Sequence, residues 1–122
     1  MIETFFFDTY AFHELIVGNK NYGFYNGVSI ITTKLNLMEL YYTILLKYEK
    51  KEAEVCFEKF LPYVVDIDND IYKKACEFKF LNKHKRLSYV DCIGYIIAKS
   101  RNVKFLTGDE QFKDIENVEF IK

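Results

Sequence analysis

Tryptophan is missing from this 122-residue chain, proline occurs once, histidine twice and glycine five times. So little proline and glycine leaves no room for a flexible linker, and no repeat or low-complexity tract divides the sequence, so residues 1–122 read as one domain. The three cysteines, Cys56, Cys76 and Cys92, are an odd number without CxxC spacing, and His13 and His84 make no paired ligand pattern. Neither a disulfide framework nor a zinc site is supported, and buried or half-buried free thiols are the expectation. No uncharged run is long and apolar enough to cross a bilayer, and Met1 to Tyr10 lacks the basic start and apolar centre of a signal peptide. A cytoplasmic protein without a membrane partner is expected. An excess of either charge is also lacking: 17 basic against 18 acidic residues give a formal charge of -1. Bulk electrostatics therefore does not recruit nucleic acid, and any such binding must be local.

What the chain does have is core-forming material, 50% hydrophobic residues with 18% aromatic, and three acids set alone within it. Asp8 follows Phe5, Phe6 and Phe7 and precedes Thr9, Tyr10, Ala11 and Phe12. Glu39 is the only charge between Leu35 and Leu46, and Asp91 the only one between Leu87 and Ala98. An ionised acid among packing residues loses hydration and must find a donor, a cation or a proton. A fourth acid, Asp109, stands in FLTGDEQF.

Periodicity arranges these acids. Glu3 to Phe7 reads as a strand buried on both faces, and Thr9 to Val17 as a short helix. Gly18 to Gly27 is turn-rich and reads as a loop. A strand over 28–32 leads to a helix over 36–48 and another over 51–60. A third strand is expected over 63–67, helices over 69–81 and 88–100, and strands over 103–106 and 118–121, with a short turn or helix after Asp109. Alternation of this kind specifies an α/β sandwich with a mainly parallel sheet. Asp8 and Asp109 then lie at carboxyl ends of strands, along the edge where such sheets open a crevice. Glu39 and Asp91 fall in the first turns of helices that can open toward it.

Each acid also has a local structural role open to it. Asn36-x-x-Glu39 resembles a capping box, Ser88-x-x-Asp91 imitates one with a shorter acid, and Asp8 and Asp109 are placed to cap the helices they precede. Capping and metal binding are compatible, because a capping carboxylate has a second oxygen to offer. A cluster of carboxylates without His or Cys suits a hard cation such as Mg²⁺ or Mn²⁺, and such ions serve phosphodiester hydrolysis. Lys79, Lys83, Lys85 and Arg86 gather with His84 ahead of the Asp91 segment. They are either cations at a helix end or contacts for a phosphate backbone. Tyr22, Phe24 and Tyr25 are candidates for stacking or partner contact, with ordinary packing as the alternative.

Three segments, FFFDTYAF, LNLMELYYTIL and LSYVDCIGYIIAKSRNVKFLTGDEQF, together with the small size, make the chain similar to PIN-domain nucleases, and more closely to VapC-type toxin ribonucleases. The resemblance extends over essentially the whole chain. It implies an α/β/α sandwich around a parallel sheet of about five strands in order 3-2-1-4-5. It further implies Mg²⁺- or Mn²⁺-dependent endonucleolytic cleavage of RNA, a homodimer, and inhibition by a small cognate antitoxin. The family's catalytic and metal-binding acids fall on Asp8, Glu39, Asp91 and Asp109, and its supporting hydroxyl on Thr107. Tyr10 and Glu110 stand where family members vary, so the extra acid is an optional participant. Two other classes compete: a PIN-fold module that binds RNA or protein without cutting, and a phosphoacceptor signalling domain with Asp66 or Asp68 as its nucleophile. The latter class uses paired acids after the first strand, whereas Asp8 is single.

Overall fold

The computed structural model describes residues 2–122; Met1, the start of the expected domain, lies outside the described residues. Four parallel strands form one sheet: β1 (Thr4–Phe7), β2 (Ser29–Ile31), β3 (Lys104–Thr107) and β4 (Val118–Phe120), in the order β2-β1-β3-β4. The helices are α1 (Thr9–Ile16), α2 (Lys34–Lys47), α3 (Lys50–Phe60), α4 (Asn69–Leu81) and α5 (Tyr89–Ser100). Among the described residues no helix is long and apolar enough to cross a membrane.

The Phe5-Phe6-Phe7 run explains the layering. Successive strand side chains point to opposite faces, so Phe5 and Phe7 enter a core shared with Phe12, Leu37, Leu40 and Phe60. Phe6 enters the other, with Ile93, Tyr95, Phe105 and Phe112. Burying each phenyl ring contributes about 2–3 kcal/mol, which fixes β1 at the sheet centre with helices on both sides. On the second face α5 comes unusually close. A Cβ at Gly94 would stand 2.6 Å from the Phe6 ring and 3.0 Å from the Phe105 ring, so only glycine permits this approach.

Two expectations change. The strand expected over 63–67 shrinks to a single parallel bridge between Thr32 and Val64. Leu61–Tyr63 instead forms a 3₁₀ turn around Pro62, which has no N–H to give to a ladder. Only the Thr32 N–H to Tyr63 carbonyl bond (3.1 Å) and the Val65 N–H to Thr32 carbonyl bond (2.9 Å) remain. The bridge flanks β2, so the segment keeps its place in the expected order without becoming a strand.

The stretch read as a loop is a 3₁₀ helix over Lys20–Gly27. Its Tyr22 and Tyr25 are buried, and their hydroxyls donate to the Ile121 carbonyl and to Glu119 Oε2, both at 2.6 Å. These rings close the core over the end of the chain and are not free to stack on a ligand. Phe24 alone of the three stays exposed.

Candidate active site

All four strands run the same way, and the chain reverses its direction of travel across the sheet between β1 and β3. That is the switch point at which α/β sheets open a crevice beyond the strand ends. Asp8 follows β1 there, and Thr107 ends β3 beside it, with the Asp8 N–H held by the Leu106 carbonyl at 3.1 Å. Asp8 is only 3% exposed. It precedes α1 but makes no side-chain cap, so the capping role does not apply to it. Its Oδ2 instead accepts from the Thr107 hydroxyl at 2.8 Å. The same hydroxyl accepts the Asp109 N–H at 3.1 Å, so Thr107 links the first acid to the segment bearing the last. Thr107 is therefore part of this site's structure. Gly108 between them lies under Tyr10, whose ring a Cβ would meet at 2.4 Å.

The other acids lie on separate elements. Asp91 is the third residue of α5 and forms the expected capping box: Ser88 Oγ accepts the Asp91 N–H at 3.0 Å, and Asp91 Oδ2 accepts the Ser88 N–H at 2.9 Å. Asp109 caps the 3₁₀ turn Glu110–Phe112 by accepting the Gln111 N–H at 3.0 Å. Glu39 does not complete a capping box with Asn36. Thr33 caps α2, which begins at Lys34, two residues ahead of the expected start, and Glu39 lies in the second turn, where its Oε1 accepts from the Thr9 hydroxyl at 2.7 Å. Glu110 faces outward and pairs with Lys122 at 2.7 Å.

Electrostatics ties the four together. Burial, then repulsion from Asp91, pushes the Asp8 carboxyl up to about 8, against the Thr107 hydroxyl and Thr9 N–H, with Glu39 adding a smaller upward push. Burial also raises Asp91, opposed by its bonds to Ser88 and reinforced by the charges of Asp109 and Glu39. A proton on Asp8 relieves its neighbour, which then feels chiefly the other two. Among the described residues none of the four enters an ion pair. The result is an acidic pole, oxygen-only in its donors, without a protein cation.

Such a donor set fits a hard divalent cation and no soft one. It is not a finished cage: among the described residues no three His, Cys, Asp or Glu side chains are gathered tightly enough to hold a metal. The physical reason is local, since each carboxylate rests on its own hydrogen-bond donor and mutual repulsion opposes closer approach. The basic cluster is partly engaged. Lys79 donates to the Leu87 carbonyl and lies 5.1 Å from the Tyr89 ring, and Lys83 lies 4.6 Å from Phe80. Of the rival nucleophiles, Asp68 serves as the N-cap of α4 through the Ile71 N–H.

The PIN domain family matches residues 5–118, and the chain belongs to that family. The match spans all four acids. No curated protein matches significantly. Among solved structures the chain is similar to a toxin-antitoxin complex from Klebsiella pneumoniae, with 17% identity, a TM-score of 0.73 and 93% of each chain covered. It is similar also to VapBC2 from Rickettsia felis bound to a promoter DNA fragment, with 18% identity, a TM-score of 0.70, and 98% of this chain and 99% of that one covered. DNA-bound VapBC from Salmonella typhimurium gives 17% identity and a TM-score of 0.69, covering 98% and 97%. At such identities the likeness establishes the shared α/β fold.

Proposed function

We propose that this PIN-domain protein is a divalent-metal-dependent endoribonuclease, the VapC-type toxin of a toxin-antitoxin pair acting in the cytoplasm. The observation that carries the reading is Asp8: a buried carboxyl, raised to about 8, facing further acids at a sheet switch point with no basic side chain among its main influences. That arrangement disfavours an ionised Asp8 in the metal-free protein, and a site that exchanges a proton for a cation would make use of it. Mg²⁺ or Mn²⁺ bound there would polarise a phosphoryl oxygen and lower the pKa of an attacking water.

Within that reading Asp8, Asp91 and Asp109 hold the ion, directly or through water. The Thr107 hydroxyl orients both ends of this set, donating to the Asp8 carboxylate and accepting the backbone N–H of Asp109. Glu39, with Oε1 engaged by Thr9, offers Oε2 to complete the shell or to orient the attacking water. Lys83, Lys85 and Arg86 are the cations left to meet an RNA backbone.

The antitoxin finds support in the exposed apolar face of α2, where Met38, Tyr42 and Leu46, spaced four residues apart, are all more than half exposed. Exposed apolar surface of this kind suits a protein partner. The solved relatives are toxin-antitoxin complexes, two of them on DNA, and by analogy this chain is taken to be neutralised by a small partner that covers that face. A homodimer belongs to the same reading, and sedimentation velocity tests it.

The nuclease test is digestion of a mixed RNA pool with Mg²⁺ or Mn²⁺, with EDTA, and with the Asp8→Asn and Asp91→Asn proteins. Cleavage should require the ion and fall at least a hundredfold in both variants. Equal degradation by the variants would assign the activity to a contaminant. A metal-binding protein that leaves every RNA intact would point to the non-cutting module.

A further inference from the structure

The first turn of α2 contains a polar side chain that the proposed chemistry has not used. Asn36 is fully buried, as is its neighbour Thr33, and no buried side-chain polar atom among the described residues lacks a partner. Its bonds have a direction. The Asn36 backbone N–H donates to Thr33 Oγ1 at 3.2 Å, so that hydroxyl turns its own proton to Asn36 Oδ1, at 2.6 Å. The amide oxygen being occupied, Nδ2 faces across to α1 and donates to Thr9 Oγ1 at 3.1 Å. The Thr9 hydroxyl has one proton to give. It lies 2.7 Å from Glu39 Oε1 and 3.5 Å from the Asn36 carbonyl, so the short contact with Glu39 takes it.

We infer that Asn36 and Thr9 are positioning residues, the two links of a relay that starts at the α2 cap and holds the Glu39 carboxylate in one orientation with Oε2 toward the acidic pole. The inference rests on the proposed metal-dependent reading, because Glu39 matters only if the pole binds an ion. The relay solves a specific problem. A glutamate in the second turn of a helix has three rotatable side-chain bonds, and repulsion between Glu39 and Asp91 opposes their convergence on the crevice. A charge-assisted bond from a hydroxyl whose other face is fixed by a buried amide counters that repulsion without bringing a positive charge that would compete with the metal. Thr9 has to be a hydroxyl residue here, and Asn36 must supply acceptor and donor at opposite ends of one rigid group, which neither Asp nor Leu does.

The test is Mn²⁺ binding by calorimetry to wild type, Thr9→Val, Thr9→Ser, Asn36→Ala and Asp91→Asn proteins of verified fold. Thr9→Val keeps the shape and removes the donor, and should weaken binding about tenfold. Thr9→Ser restores the hydroxyl and should bind within about twofold of wild type, a rescue that a purely packing role for Thr9 would not give. Asn36→Ala should fall between them. Wild-type affinity in Thr9→Val alongside weakened binding in Asp91→Asn would overturn the relay and leave the metal site standing. Absence of Mn²⁺ binding by wild type, or no effect of Asp91→Asn, would remove the metal reading and the relay with it. Should Thr9→Val fail to fold, side-chain couplings of Glu39 in the metal-free wild type decide. One rotamer supports the relay, and averaging over several refutes it.

Discussion

Replacing Asp8 by Asn should stabilise the metal-free protein, and increasingly so as the pH rises. The Asp8 carboxyl goes from an ordinary 3.8 to about 8 in the fold. A group whose folded pKa is raised binds more protons when folded than when unfolded over that window. Stability is then fully present below pH 4 and drains away as pH climbs toward 8. At about 1.4 kcal/mol per pH unit the ceiling is about 6 kcal/mol, and relaxation around an ionised group brings the expectation to about 2–5 kcal/mol at pH 8. Asn cannot ionise, and its amide oxygen can still accept from Thr107, so the variant escapes the loss. The assay is urea unfolding of both proteins in EDTA at pH 5, 6, 7 and 8, read as the difference between them. That difference should grow with pH and favour Asn. A flat difference, or one favouring Asp at pH 8, would show that Asp8 is not a desolvated acid facing other acids, and the proposed site would lose its foundation.

The same proton governs metal uptake: Mn²⁺ affinity measured by calorimetry should rise with pH up to about 8 and level off above it, because a cation must displace the Asp8 proton. Gly94→Ala should cost about 1–3 kcal/mol in denaturant unfolding, since the new methyl has to displace the Phe6 and Phe105 rings. Ser88→Ala should cost about 1 kcal/mol through loss of the α5 cap, and because Asp91 loses a partner, Mn²⁺ binding should change as well as the unfolding midpoint. Tyr22→Phe should cost about 1 kcal/mol by leaving the Ile121 carbonyl unpaired, with no change in metal affinity.

Much of the fold could be read from periodicity because the elements are short and clearly marked. The triple phenylalanine of β1 and the almost wholly apolar α5 are interior elements by composition, and α4 begins at the residue after its Asp68 cap, as its pattern requires. What failed to show depends on distant partners. Tyr22 and Tyr25 sit in a glycine- and asparagine-rich stretch that reads as a turn, and the groups that make them core lie 99 and 94 residues away. The third strand was lost where the Val64 N–H turns back to the Leu61 carbonyl at 3.2 Å, a local bond that hydrophobic alternation does not register. At the site, isolation of Asp8 among apolar residues marked an acid that is buried and receives a hydrogen bond from Thr107. Thr9 carried no such mark, and Asn36 was legible only as a cap for the helix of Glu39, a role that Thr33 takes instead.

Phe6 lies two residues before Asp8, and Gly94 three residues after Asp91, so the close approach of Gly94 to Phe6 ties together the two elements that carry these acids. With no methyl group between helix and sheet, α5 rests directly on the ring, and a larger residue at 94 would push the helix of Asp91 away from β1. On the proposed reading, the separation of two candidate ligands is thus governed by packing beneath the cleft rather than by the cleft itself.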